Sequence, residues 1–129
     1  MGDRANFGFT ADTGKPTLFL YAHNGGYEML NTFALALDHA LPRRNDDGYA
    51  TRMAISHIVG DRWNGEYGYG LYIDSTGDNE HSVPVVNWGT QTVSLYPYFI
   101  GAFGPAQTPK FTMPIEAFIR KFAKHPSLV

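Results

Sequence analysis

The chain has 129 residues, a formal net charge of −2 and no cysteine. The lack of cysteine excludes disulfides, thiol catalysis and cysteine-ligated zinc. The negative charge, with no run of basic residues, excludes the electrostatic footprint of a duplex DNA-binding protein. Hydrophobic residues make up 43% and charged residues 17%, the balance of a folded globular protein. The length suits one domain over residues 1–129.

The sequence carries no signal for a membrane. The first residues lack the apolar core of a signal peptide, and no apolar run approaches the ~20 residues that span a bilayer. We therefore predict a soluble, cytoplasmic protein with no membrane partner and no duplex nucleic-acid partner.

The first half of the chain predicts a hairpin and a helix. Residues Ala5–Ala11 and Thr17–Ala22 read as strands joined by a turn over Asp12–Pro16. The second strand is apolar on both faces, which is typical of a strand inside a sheet. A glycine turn follows, and Tyr27–Leu41 has the apolar spacing of an amphipathic helix, with Asn24 as its predicted cap.

The second half predicts two more helices and three more strands. A helix over Tyr49–Val59 takes Asp46 or Asp47 as its cap, and its apolar face is predicted to include His57 as a core histidine. The later predicted elements are three strands, Tyr69–Asp74, Val83–Trp88 and Gln91–Tyr96, then a loop Pro97–Lys110 anchored by Tyr98, Phe99 and Phe103. The last is a helix with Pro114 in its first turn and a buried stripe at Ile115, Phe118, Ile119 and Phe122.

This order of elements predicts the α+β class. The strands are mostly neighbours along the chain, so they are expected to form a mostly antiparallel sheet of about five strands. Three helices are expected to pack on one side of it.

Five short strings point to a known family. They are Met1–Phe7, His23-x-Gly25-Gly26, Tyr49–Arg52, Glu66-x-Gly68-Tyr69-Gly70 and Asp78–His81. Their order and spacing resemble a family of small uncharacterised proteins of bacteriophages and some bacteria, over about residues 1 to 96. The family has Trp where Asn24 stands here. The resemblance implies a prokaryotic or phage origin, an accessory role in infection and, for a phage protein, a location in the host cytoplasm.

The glycine turn is the first candidate binding site. Paired glycines let a backbone approach a ligand closely, and the start of the following helix offers free amides and a partial positive charge. A plain strand-to-helix turn explains the same residues. The candidate ligand-binding residues here are His23, Asn24, Gly25 and Gly26.

A second candidate is an acidic loop with an imidazole, formed by Asp78, Asn79, Glu80 and His81. Together with His23 it can make an acid-base set or a metal site, although its spacing fits no standard metal motif and suits an ordinary turn. If the strand ending at Ala22 and the strand starting at Val83 reach the same edge of the sheet, the two candidates meet.

Further candidates lie between them in the sequence. Arg52 can face an anion, Trp63 can act as a lid, and Glu66 and Tyr69 can line a pocket edge. Alternatively, the aromatic residues close the core and the arginine is solvated.

These observations favour a non-enzymatic protein that binds a small polar or anionic ligand, nucleotide-like among the options, or a host protein, as in countering host defence. One alternative is a metal-dependent hydrolase that uses His23 and the loop Asp78–His81. The other is an assembly protein that forms a homo-oligomer. No cofactor and no resident metal are expected.

Overall fold

The first strand of the chain lies inside a six-stranded sheet. A computed structural model describes residues 2–11, 17–97 and 108–124. The strand order is β3-β2-β1-β4-β5-β6. Only the β1–β4 pair is parallel, and the other four pairs are antiparallel. The strands are β1 (Ala5–Thr10), β2 (Leu18–Ala22), β3 (Tyr69–Ile73), β4 (Val83–Asn87), β5 (Thr92–Tyr96) and β6 (Phe111–Pro114).

Strand direction brings two distant parts of the sequence together. β2 runs antiparallel to β1, so it ends beside the start of β1, where Ala5 pairs with Ala22. β4 runs parallel to β1, with Gly8 opposite Val85, so it begins at the same end. The turn after β2 and the loop before β4 therefore both lie at this end of the sheet.

In the described part of the chain, three α-helices complete the α+β domain: α1 (Met29–Ala40), α2 (Asp47–Val59) and α3 (Ile115–Phe122). α1 contacts both α2 and α3. Phe33 of α1 is fully buried, and its ring lies 5.4 Å from that of Phe7 and 6.0 Å from that of Phe118. These rings belong to the main core between helices and sheet.

A smaller cluster is buried apart from the main core. It consists of Phe19, Val83 and Val85, with Tyr96 packed against it. Successive side chains of a strand point to opposite faces. In β2, Phe19 is buried in this smaller cluster and Leu20 is buried in the main core. This placement accounts for the apolar character of β2 on both faces.

The predicted elements are largely confirmed, and Asp46 caps α2 by accepting a hydrogen bond from the Tyr49 amide. The α3 stripe is also confirmed, with Phe122 half-buried and the others buried. Pro114 precedes α3 as its cap residue instead of lying in the first turn. The predicted turn at residues 12–16 and the anchors Tyr98, Phe99 and Phe103 lie outside the described residues.

Three predictions are wrong. β6 was missed, because Pro114 suggested a helix start, although a proline is tolerated on an edge strand. Asn24 does not cap the helix: the chain enters a 3₁₀ turn (Gly26–Glu28) from Gly25, which has a φ of 82°. His57 is exposed and lies against His39, with ring centroids 5.1 Å apart, because the buried face of α2 is centred on other residues, namely Ala50, Ala54, Ile55 and Val59.

Candidate functional site

The N-terminal segment Gly2–Arg4 joins the two predicted site segments. The Asp3 amide donates to the His23 carbonyl at 2.9 Å, and the Gly26 amide donates to the Asp3 carbonyl at 2.9 Å. On its other side, the Glu80 amide donates to the Arg4 carbonyl at 3.2 Å. We call this segment the N-terminal staple, since it holds the glycine turn and the loop before β4 to one another.

The Asp3 carboxylate occupies the helix start that was predicted to receive an anion. One oxygen accepts from the Tyr27 amide at 2.7 Å, and the other lies 2.5 Å from Nε2 of His81. The hydrogen bond with His81, followed by that from the Tyr27 amide, lowers the pKa of Asp3 below its ordinary value. Of the amides expected to be free, that of Tyr27 is bound by this carboxylate and that of Gly26 by the backbone carbonyl of the same residue.

Two glycines allow this close packing. A Cβ on Gly26 would lie 2.5 Å from Cδ2 of His81, and a Cβ on Gly2 would lie 2.8 Å from the imidazole of His23. The His23 ring is hydrogen-bonded through Nδ1 to the Tyr21 hydroxyl at 2.9 Å. Glycine is therefore needed here for packing of the chain on its own histidines, and a backbone–ligand approach is not required to explain it.

A buried asparagine fixes the loop before β4. Asn6 is fully buried, and its Nδ2 donates to the Asp78 carbonyl at 3.1 Å and to Oδ1 of Asn79 at 3.2 Å. Its Oδ1 accepts from the Gly77 amide at 3.0 Å. Sequence reasoning missed Asn6, although a lone asparagine within a buried strand is the available signal, since such a group needs hydrogen-bond partners.

In the described residues, the remaining polar side chains at this end of the sheet are not grouped in a way that would bind a metal ion. Glu80 accepts from the Arg4 amide at 3.2 Å and forms an exposed ion pair with the Arg4 guanidinium at 3.6 Å. Asn24 and Asp78 are exposed. Within residues 2–11, 17–97 and 108–124, no group of three or more His, Cys, Asp or Glu is placed to hold a metal ion.

A separate cleft lies between α2 and the sheet. It has a volume of about 530 Å³, within the range of small-molecule sites. Two predicted residues, Arg52 and Trp63, line it, while Glu66 is exposed outside it and Tyr69 borders a neighbouring cleft of about 240 Å³. The lining is mostly apolar and comes from β1, β2, β3, α2 and both tryptophans, with Phe9, Leu18, Ile55, Leu71, Trp63 and Trp88 as its large side chains.

The two tryptophans that line this cleft differ in burial. Trp88 is 4% exposed, and its Nε1 donates to Oγ1 of Thr51 at 3.0 Å, so its ring is fixed against α2. Trp63, which follows α2, is 49% exposed. Sequence reasoning missed Trp88 because it follows directly on a buried strand and suggested core packing alone.

Charge in the cleft comes from one residue of each sign. Arg52 and Asp47 both line it from α2. The Arg52 guanidinium lies 5.8 Å from the ring centroid of Tyr49. Within the described part of the chain Arg52 has no carboxylate partner, whereas Arg44 is paired with Glu116 at 2.6 Å. The cleft therefore presents an apolar surface with an available guanidinium at its rim.

None of the helices in the described part of the chain has the length and apolar character needed to cross a bilayer. Comparison with protein-family models, curated proteins and solved structures finds no match to this chain.

Proposed function

We propose that the chain is a non-enzymatic binding protein that holds a small molecule in the cleft between α2 and the sheet. The observation that carries this proposal is the cleft itself: about 530 Å³, lined by both tryptophans of the chain and bordered by Arg52. The ligand class that fits is a flat apolar or aromatic body with one anionic group. Binding sites of this kind combine an apolar lining with a few polar groups that set orientation.

The position of the anionic group follows from the charges. Arg52 attracts it, and a guanidinium is suited to carboxylate, sulfonate or phosphate oxygens. Asp47, in the first turn of α2, repels it from that part of the helix. The anionic group is therefore expected at the Arg52 rim, with the apolar body between Trp63 and Trp88.

The junction of the N-terminal staple is less suited to a ligand. Asp3 uses both carboxylate oxygens within the chain, and Asn6 and Glu80 are likewise engaged. A ligand there would have to displace these bonds. The hydrolase alternative, which relies on His23 and the loop Asp78–His81, needs open side chains at this place, so the geometry favours binding in the cleft over catalysis at the junction.

The test uses 8-anilinonaphthalene-1-sulfonate, an aromatic anion of the expected class. Since both tryptophans of the chain line the cleft, we expect saturable quenching of tryptophan emission with one site per chain. Gly48→Phe should weaken binding roughly tenfold or more, a loss of about 1.4 kcal/mol, because Gly48 lines the cleft and a Cβ there meets no atom closer than 3.9 Å.

Matched variants separate the cleft from general surface effects. Arg52→Ala should weaken binding, whereas Arg120→Ala on the exposed face of α3 and Tyr27→Ala, 79% exposed, should not. Because this dye also binds loosened folds, the unfolding midpoint of each variant is measured alongside. Equal binding by folded Gly48→Phe and wild type would rule out the cleft as the site.

A further inference from the structure

The edge strand β3 is unusually apolar and exposed. Within the described residues it pairs with β2 alone, at one end of the sheet order. Leu71 is 52% exposed, Tyr72 40% and Ile73 68%. Natural sheets protect their edges with charges, prolines or bulges, and the other edge strand, β6, contains Pro114. β3 has the sequence Tyr-Gly-Leu-Tyr-Ile, with neither charge nor proline.

The hydrogen bonds at the two ends of β3 show which of its residues bond with β2 and which direct their backbone groups outward. The His23 amide donates to the Gly68 carbonyl at 2.9 Å, and the Asp74 amide donates to the Thr17 carbonyl at 2.7 Å. In an antiparallel ladder, hydrogen-bonded residues alternate along the strand. The even-numbered residues of β3 therefore bond with β2, so Tyr69, Leu71 and Ile73 direct their amides and carbonyls outward.

We propose that β3 pairs antiparallel with β3 of a second copy of this chain, about a two-fold axis at Leu71. This register sets Leu71 opposite Leu71 and Tyr69 opposite Ile73, so all three outward-directed residues find hydrogen-bonding partners. It also sets Gly70 opposite Tyr72 of the other copy. Because Gly70 has no side chain, nothing at that position opposes the Tyr72 ring of the other copy.

The area available matches a reversible dimer. If each of these large side chains is given the roughly 150–250 Å² of an aromatic residue, the exposed parts of Tyr67, Leu71, Tyr72 and Ile73 in two copies amount to at most roughly 700–1,200 Å². Tyr67 is 85% exposed next to the strand. Specific interfaces start at about 1,000–1,200 Å². The dimer is therefore expected to dissociate in the micromolar range, roughly 1–100 µM.

Charge variants at the two-fold axis test this pairing. Sedimentation of the wild type should show a dimer whose population rises with concentration up to about 500 µM, a range chosen to span the expected affinity. Leu71→Lys and Leu71→Glu each place like charges directly opposite, which destabilises a strand pair, and should each weaken association at least about tenfold. Mixing the two variants should restore dimers. Tyr27→Lys, another exposed position, should associate like the wild type.

Three outcomes would overturn the proposal. They are a wild type that stays monomeric over the whole range, charge variants that dimerise like the wild type, and two impaired variants that do not recover on mixing. Circular dichroism establishes that the variants are folded. Ligand binding in the cleft is measured separately, so a monomeric protein that binds the dye would contradict the dimer and leave the proposed function supported.

Discussion

At the scale of single residues, two polar side chains near the N-terminus hold one end of the sheet together. Asp3 acts as a capping group supplied from 24 residues away, and Asn6 supplies hydrogen bonds to a loop more than 70 residues away. Asn6 is fully buried, and a buried polar group is costly when left without partners, while Asp3 is partly exposed and contributes through its bonds to the Tyr27 amide and to His81. Each therefore predicts a measurable loss on substitution.

Asn6→Ala should destabilise the protein by about 2–4 kcal/mol. It removes the partner of the Gly77 amide and of the Asp78 carbonyl, and because both residues lie in a partly exposed loop, each loss is expected in the lower part of the range of about 1–3 kcal/mol for an unsatisfied group. Urea unfolding measures the change. Asn64→Ala is the control, since Asn64 is exposed and substitutions of that kind stay within about 0.5 kcal/mol. A similar small loss for both variants would show that the loop does not depend on Asn6.

The lowered pKa of Asp3 predicts a loss of stability in acid. In the unfolded chain the carboxyl takes up its proton near pH 4, above the pKa it has in the folded protein. Acidification therefore favours the unfolded state, and the contribution of Asp3 is present above pH 4 and disappears as the pH falls through the lowered value.

Asp3→Asn should lower the unfolding midpoint at neutral pH and flatten its decline between about pH 5 and pH 2. Thermal melts at a series of pH values compare the variant with the wild type. Asp61→Asn, on an exposed residue, serves as the charge-matched control. Parallel pH profiles for Asp3→Asn and wild type would mean that the bond between Asp3 and His81 adds nothing to stability.

At the scale of elements, the buried stripe of α3 is what attaches this short helix. Phe118 is fully buried, with its ring 4.9 Å from that of Phe122 and 6.0 Å from that of Phe33. Eight residues are too few to form a stable helix without such packing. The helix therefore depends on its contact with α1.

Phe118→Ala should cost roughly 3–5 kcal/mol, the range for truncating a buried phenylalanine. Lys121→Ala, on the exposed side of the same helix, should stay within about 0.5 kcal/mol. Chemical denaturation measures both. A cost below about 1 kcal/mol for Phe118→Ala would contradict the packing of α3 in the core.

At the scale of the whole molecule, periodicity predicted the elements because it is a local property. The helices and the first five strands were predicted from the apolar spacing within each segment. β6 was not predicted, because Pro114 suggested the start of a helix. Strand order was not predictable in the same way, since the parallel pairing of β1 with β4 joins residues more than 70 positions apart.

The candidate sites were also only partly predictable, because they depend on contacts between residues distant in the sequence. The glycine turn was predicted as an anion site, and the Tyr27 amide that follows it does bind a carboxylate, but no local pattern indicates that this carboxylate belongs to Asp3. The cleft was predicted only through Arg52 and Trp63, because its other walls, such as Phe9, Leu18 and Trp88, come from three separate strand ends. A cavity depends on how separate elements pack against one another, and the apolar spacing within one segment carries no information about that packing.

The central claim is that the cleft, and not the junction of the N-terminal staple, receives the ligand. Backbone amide chemical shifts measured by nuclear magnetic resonance during titration with 8-anilinonaphthalene-1-sulfonate test it most directly. We expect the largest shifts on Thr10, Gly48 and Thr51 and on the indole groups of Trp63 and Trp88. Largest shifts at Gly26, Tyr27 and His81 would contradict it and return the binding site to the glycine turn.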